Sequence, residues 1–168
     1  MRSSGARPIR LTTGAGSAAD SAASRRRIPR LPLRAAVIRR RVLALWARLS
    51  AGELDALPLA ENISFSYVGD HALAVELHSP EELRAWLRAL FERFPGLRFD
   101  IAEVVVSGPP WLLRTATRYA AMRDDRVLYC GAQFTRIRWG RVVEEHVLPD
   151  TQAVARLAPA RYVTLRPG

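Results

Sequence analysis

The chain has no lysine. All 26 of its basic residues are arginine, although a surface selected for phosphate contact is served by both, lysine as a compact point charge and arginine as a planar fork. So uniform a preference reads as a compositional habit, and nucleic acid is not an expected partner. The placement of the charge agrees. Residues 1–41 hold 11 Arg and one Asp, hence 11 − 1 = +10, the full formal charge, while residues 42–168 hold 15 Arg against 15 Asp plus Glu and sum to zero. Cysteine is nearly absent too. A single thiol, Cys130, excludes an intramolecular disulfide and a cysteine-rich zinc site. In a strand pattern it is expected to be a small buried apolar group, compatible with a reducing compartment, and a cytoplasmic location is the expectation. No apolar run reaches the roughly 18 residues that a membrane-spanning helix needs, so no membrane partner is expected. His71, His78 and His146 are scattered without ligand spacing. Nucleophile elbows, glycine-rich phosphate loops and paired cysteines are missing. No metal and no cofactor is expected.

What is present falls into a leader and a body. Residues 1–34 are dominated by Ser, Gly, Ala, Arg and Pro with no helical or strand period, a composition that cannot bury a core and is expected to be disordered. It also fits an organelle transit peptide. Ser24-Arg25-Arg26-Arg27-Ile28 looks like a twin-arginine export signal, but Arg30, Arg34 and Arg39–Arg41 interrupt the apolar stretch that must follow, and export is rejected. Translation starting downstream, near Val37 or Val42, is a further reading. The body, residues 35–158, is long enough for one domain with a real core, the whole chain being 49% apolar. Residues 159–168 read as a tail.

Within the body, Ile38, Val42, Leu45, Trp46 and Leu49 form the stripe of an amphipathic helix, with Gly52 suited to the left-handed position after it. Glu53–Leu57 begins a short second helix that Pro58 limits. Strands are expected over Ile63–Val68 and Ala72–Leu77. Ser79-Pro80-Glu81-Glu82 then starts a helix, with Ser79 as cap, Pro80 in the first turn and Glu82 closing a capping box. Leu83, Trp86, Leu87, Leu90, Phe91 and Phe94 follow at helical spacing. Strands are expected over Arg98–Val106 and Trp111–Tyr119, and a turn at Asp124-Asp125. Val127–Arg138 and Arg141–Leu148 make a hairpin around Trp139-Gly140, and Asp150 or Thr151 caps a last helix. Helices gathered on one face of an antiparallel sheet make an α+β fold.

Two stretches carry a resemblance. Leu49–Leu57 resembles the joint between the first two helices of nuclear transport factor 2-like proteins. Arg138–Glu145 with Asp150-Thr151 resembles the hairpin and exit of their SnoaL-like branch. The match covers roughly residues 36–158. It implies a cone-shaped α+β barrel, a curved sheet wrapped on helices around an apolar pocket, and a homodimer through the outer sheet face. It also implies a small apolar or carbonyl-containing molecule as partner, handled by isomerase-, cyclase- or lyase-type proton transfer, or else a non-catalytic dimerisation or ligand-sensing module. The branch includes ketosteroid isomerases, whose tyrosine and two acids fall on Leu45, Tyr67 and Thr135 here. A proton moved between carbons needs a carboxylate and an oxyanion donor, so the steroid isomerase mechanism is not matched.

Alternation along the hairpin puts Gln133, Thr135, Ile137 and Trp139 on one face, and Val143, Glu145 and Val147 on another. Glu145 is therefore the candidate catalytic base: a carboxyl among Trp86, Ile137, Trp139 and Val147 would be desolvated and its pKa raised. The more ordinary expectation is that Glu145 pairs with an arginine such as Arg114 or Arg136, or that the register is off by one. Tyr67, Tyr119, Gln133 and Thr135 are candidate polar groups of an apolar pocket, and Trp46, Trp86, Ile137 and Val147 its candidate apolar lining. Each serves equally as core.

Overall fold

A computed structural model describes residues 33–159. The leader expected over residues 1–34 falls almost wholly outside the described residues, as does the tail. The order is α1 (Leu33–Ser50), a single 3-10 turn (Leu54–Ala56), β1 (Leu59–Tyr67), β2 (Val75–Leu77), α2 (Pro80–Arg93), β3 (Arg98–Ser107), β4 (Leu112–Arg123), β5 (Arg126–Arg138), β6 (Arg141–Pro149) and α3 (Thr151–Leu157). The six strands form one sheet in the order β2-β1-β6-β5-β4-β3. The fold is the α+β cone, but its sheet is not a closed barrel. Among the described residues β2 and β3 are the edge strands, and β1 runs parallel to β6 while every other neighbour is antiparallel.

Local chemistry sets the ends of these elements. Gly52 takes φ +77 after α1, the left-handed stop that glycine adopts without a Cβ penalty. Ser79 accepts a hydrogen bond from the Glu82 N–H at 3.2 Å, and the Glu82 carboxylate accepts from the Ser79 N–H at 3.1 Å, so α2 begins with a full capping box. Asp150 accepts from the Ala153 N–H at 2.9 Å and caps α3. The two-residue turns of the β4–β5 and β5–β6 hairpins, Asp124-Asp125 and Trp139-Gly140, have both residues at positive φ, which matches the right-handed twist of the strands they join.

The inner face of the sheet is covered by α1 and α2. Leu83, Leu87 and Leu90 of α2 are buried and α2 packs on β1, whereas α1 lies against β3. From β1, Ile63, Phe65 and Tyr67 point inward together. From β4, Leu113, Thr115, Thr117, Tyr119 and Ala121 do so. Trp46 anchors the helix side, its ring 5.2 Å from Tyr119 and 5.4 Å from Phe99.

Three expectations about where side chains lie need correction. A bulge between Ile137↔Val142 and Arg136↔Glu144 sets Val143 out of register, so Val142 rather than Val143 joins Glu145 and Val147 on the inner side; the extra residue of a bulge shifts alternation by one. Trp139 sits in the turn at φ 49 and is 77% exposed, so it is not near Glu145's inner surroundings. Cys130, expected to be buried, is exposed on the outer face of β5.

Candidate pocket site

Between α1 and the inner sheet face lies a cavity of about 80 Å³. Its helix wall is Val42, Leu45, Trp46 and Leu49 from α1, with Leu83 and Leu87 from α2. The connection Leu57-Pro58-Leu59 and Phe65, Ile137 and Val142 complete an apolar lining. Against it stand five polar side chains, Thr115, Thr117, Gln133, Thr135 and Glu145, all from the neighbouring strands β4, β5 and β6. The register explains why they meet. Glu145 is the direct neighbour of Thr135 on one side and Phe65 on the other, and Thr135 faces Thr115, so one row across the sheet reads Phe65, Glu145, Thr135, Thr115. One step deeper the row is Tyr67, Val147, Gln133, Thr117.

Glu145 is the only acidic residue in this lining. It is partly exposed, as a side chain at a cavity wall must be, and no ion pair reaches it among the described residues. The arginines expected to hold it are elsewhere: Arg136 pairs with Glu144, and Arg114 is exposed beside it on the outer face. With apolar groups around it and no cation, burial raises the Glu145 carboxyl from 4.5 to about 7, because a low-dielectric setting penalises the charged form.

The other polar groups differ in what they have to spare. The Gln133 amide donates to the Thr135 hydroxyl at 3.3 Å. The Thr117 hydroxyl is buried without any hydrogen-bond partner, which is costly for a hydroxyl unless something else completes it. Thr115 and Thr117 were not singled out from sequence, although the signal is there: Thr115-Ala116-Thr117-Arg118-Tyr119 alternates, placing two hydroxyls on Tyr119's face.

Of the expected pocket residues, the fold brings together Trp46, Gln133, Thr135, Ile137 and Glu145. Tyr67, Trp86, Tyr119 and Val147 do not line the cavity; they lie in the core around it. Tyr67 is buried with its ring 5.2 Å from Trp86 and 5.6 Å from His71. Tyr119 lies beneath Trp46, over Gly131. Burial above all, then the proximity of the Tyr129 phenol, raises the pKa of both Tyr67 and Tyr119, and the Glu145 charge adds to the rise at Tyr119. The three phenols are thus close neighbours, yet the hydroxyls of Tyr67 and Tyr129 have no partner in hydrogen-bonding geometry. Among the described residues no cluster of His, Cys, Asp and Glu could hold a metal ion.

A model of the SnoaL-like domain matches residues 40–145. The chain belongs to the SnoaL-like family. Solved structures of similar fold agree with that assignment. Bal32a, from a soil-derived mobile gene cassette, superposes with a TM-score of 0.58 at 18% identity over 71% of this chain and 94% of its own. A nuclear transport factor 2-like protein of Burkholderia thailandensis gives 0.55 at 19% over 70% and 94%. IdmH, a candidate polyketide cyclase of Streptomyces antibioticus, gives 0.51 at 15% over 69% and 94%. At these identities the likeness is one of fold. No curated protein matches the sequence. No helix among the described residues is long and apolar enough to cross a membrane.

Proposed function

We propose that this SnoaL-like cone takes up a small, mostly apolar, carbonyl-bearing molecule and moves a proton on it, with Glu145 as general base. The observation that carries the reading is the Glu145 carboxyl itself, set in an apolar cavity without a cation, with a pKa of about 7. A base poised near neutrality is half ionised in ordinary buffer and strong enough to accept a proton from carbon next to a carbonyl. The Thr117 hydroxyl, with a proton to donate and no acceptor in the protein, and the second N–H of Gln133 supply the hydrogen bonds that a developing oxyanion requires. Isomerase, cyclase and lyase chemistry share this step. It needs no cofactor. A homodimer in the cytoplasm completes the reading; Phe134 and Leu148 stand exposed on the outer sheet face, where a second copy would cover them.

The test is proton exchange at the α-carbon of a panel of small apolar ketones in deuterated water, followed by NMR. Wild-type protein should exchange the proton, and Glu145→Gln should bind the same ketones without exchanging it. Binding with no exchange by the wild type would remove the base and leave the alternative reading, a ligand-sensing module. The cavity's size favours that alternative. About 80 Å³ is small beside the roughly 300–1,000 Å³ of most small-molecule sites, so uptake of a substrate requires α1 or the Leu57–Leu59 connection to yield.

A further inference from the structure

The end of the sheet at the β5–β6 turn carries a feature that the pocket does not explain. Trp139 is 77% exposed and Trp111, in the β3–β4 connection, is 54% exposed. The Trp139 backbone N–H donates to the Trp111 carbonyl at 3.1 Å, so the two indoles are mounted on one tip together with exposed Pro109 and Pro110. Trp139 also takes φ 49, a left-handed position where Gly, Asn or Asp is the unstrained choice. A large apolar residue is thus held in strain while burying little against its own protein. Arg138 and Arg141 flank it as direct cross-strand partners. Like charges so placed repel. Arg141 donates to the Leu59 carbonyl at 3.3 Å, but neither arginine has an ion pair among the described residues. The opposite end of the long strands is different in kind: the β4–β5 turn is Asp124-Asp125.

We infer that this tip, Trp111, Trp139, Arg138 and Arg141, docks on an anionic lipid surface. Tryptophan prefers the interface between headgroups and acyl chains, where its ring is apolar and its N–H remains wet. Anionic headgroups relieve the Arg138–Arg141 repulsion and add about a fivefold gain in binding for each arginine brought to the surface. A second copy of the chain would bring the same two like charges together and is disfavoured by that charge. Ile137 and Val142, the next cross-strand pair inward, line the cavity, so docking sets the cavity end against a reservoir of apolar molecules. The inference rests on the tip alone and holds whether or not Glu145 is a base.

The experiment uses the full chain with phosphatidylcholine vesicles, with and without phosphatidylserine, some carrying brominated acyl chains. Tryptophan emission should shift to shorter wavelength and be quenched by the brominated lipid, more strongly with phosphatidylserine present. The Trp111→Ser/Trp139→Ser variant should lose the quenching, since Trp46 and Trp86 are held inside the fold. Arg138→Gln/Arg141→Gln should weaken partition by about 25-fold, two fivefold factors. Circular dichroism should show both variants folded. Sedimentation with vesicles in which the indoles are never quenched would overturn the inference, because the arginine-rich residues 1–41 could produce adhesion alone. So would unchanged partition of the double tryptophan variant, or quenching of the same indoles by a mixed-sequence oligonucleotide but not by lipid.

Discussion

Arg136 forms its ion pair with Glu144, its direct cross-strand neighbour, and Glu145, one residue on, is left facing the cavity with no cation. Adjacent residues of a strand point to opposite faces, so one arginine cannot serve both. The pair of acids is thereby divided. Glu144 also meets His146, with Oε1 2.8 Å from Nε2, in a solvated network on the outer face, while Glu145 faces the enclosed one. Facing the enclosed cavity, the Glu145 carboxyl has its pKa raised by burial.

That division has a pH signature in stability. The Glu145 carboxyl titrates at 4.5 when unperturbed and at about 7 in the folded protein. Below 4.5 both states are protonated and the group costs nothing. As pH rises from 4.5 to 7 the unfolded chain ionises first, and stability falls by about 3 kcal/mol at about 1.4 kcal/mol per unit. Above 7 the loss is complete and constant. Glu145→Gln removes this dependence, so urea denaturation should find the variant more stable than wild type at pH 8, with the difference shrinking toward pH 5. Parallel pH profiles would show that Glu145 is well solvated. If Glu145 is the base, kcat/KM on any exchanging ketone should climb with pH through a midpoint near 7 and vanish in the variant.

Thr117→Val separates a structural hydroxyl from a functional one. Valine matches threonine in shape, and the hydroxyl it removes is buried without a partner. The variant should be more stable than wild type by about 1 kcal/mol, because an unsatisfied group is no longer desolvated. Binding of a ketone should weaken relative to the hydrocarbon of the same shape. Loss of stability would mean that the hydroxyl is satisfied in solution, for instance by an ordered water.

At the start of α2 the Ser79 and Glu82 side chains exchange hydrogen bonds with each other's backbone. Ser79→Ala should cost about 1 kcal/mol in chemical denaturation and leave ligand binding untouched, since α2 reaches the cavity only through Leu83 and Leu87. A change in binding would show that the helix start positions the cavity wall.

The capping box at Ser79 and the turn at Trp139-Gly140 were legible because their signals are local, a few residues long and tied to one backbone geometry. The family resemblance, which rested on Leu49–Leu57 and Arg138–Glu145, likewise gave the cone. The parallel pairing of β1 with β6 was not legible, since Ile63–Tyr67 reads the same whichever neighbour it takes. Nor was the bulge at Val143: it swaps Val143 for Val142 without altering composition, and only the partner strand's count reveals it. The cavity lining was half legible for a related reason. Alternation says that Tyr67 and Tyr119 point inward, as they do, but whether an inward side chain meets a void or another ring depends on three-dimensional packing, and theirs meet Trp86 and Trp46.

Packing of that kind is sharpest at Gly131, the cross-strand neighbour of Tyr119. A Cβ built there would stand 2.7 Å from the Tyr119 Cζ and hydroxyl and 3.1 Å from its Cε1, closer than carbon and oxygen approach without repulsion. Gly131 is not at positive φ, so the backbone itself accepts alanine and the clash is purely with the ring. Gly131→Ala should therefore cost about 1–3 kcal/mol of overpacking, despite alanine's better strand entropy. Because Tyr119 supports Trp46 and Trp46 lines the cavity, the displaced ring should also alter ligand binding. A double-mutant cycle decides whether the ring is the cause. In a Tyr119→Leu background, which lacks the ring atoms concerned, the same Gly131→Ala change should cost little or become stabilising. An equal cost in both backgrounds would place the conflict in the strand backbone and dissolve the link from Gly131 through Tyr119 to the cavity.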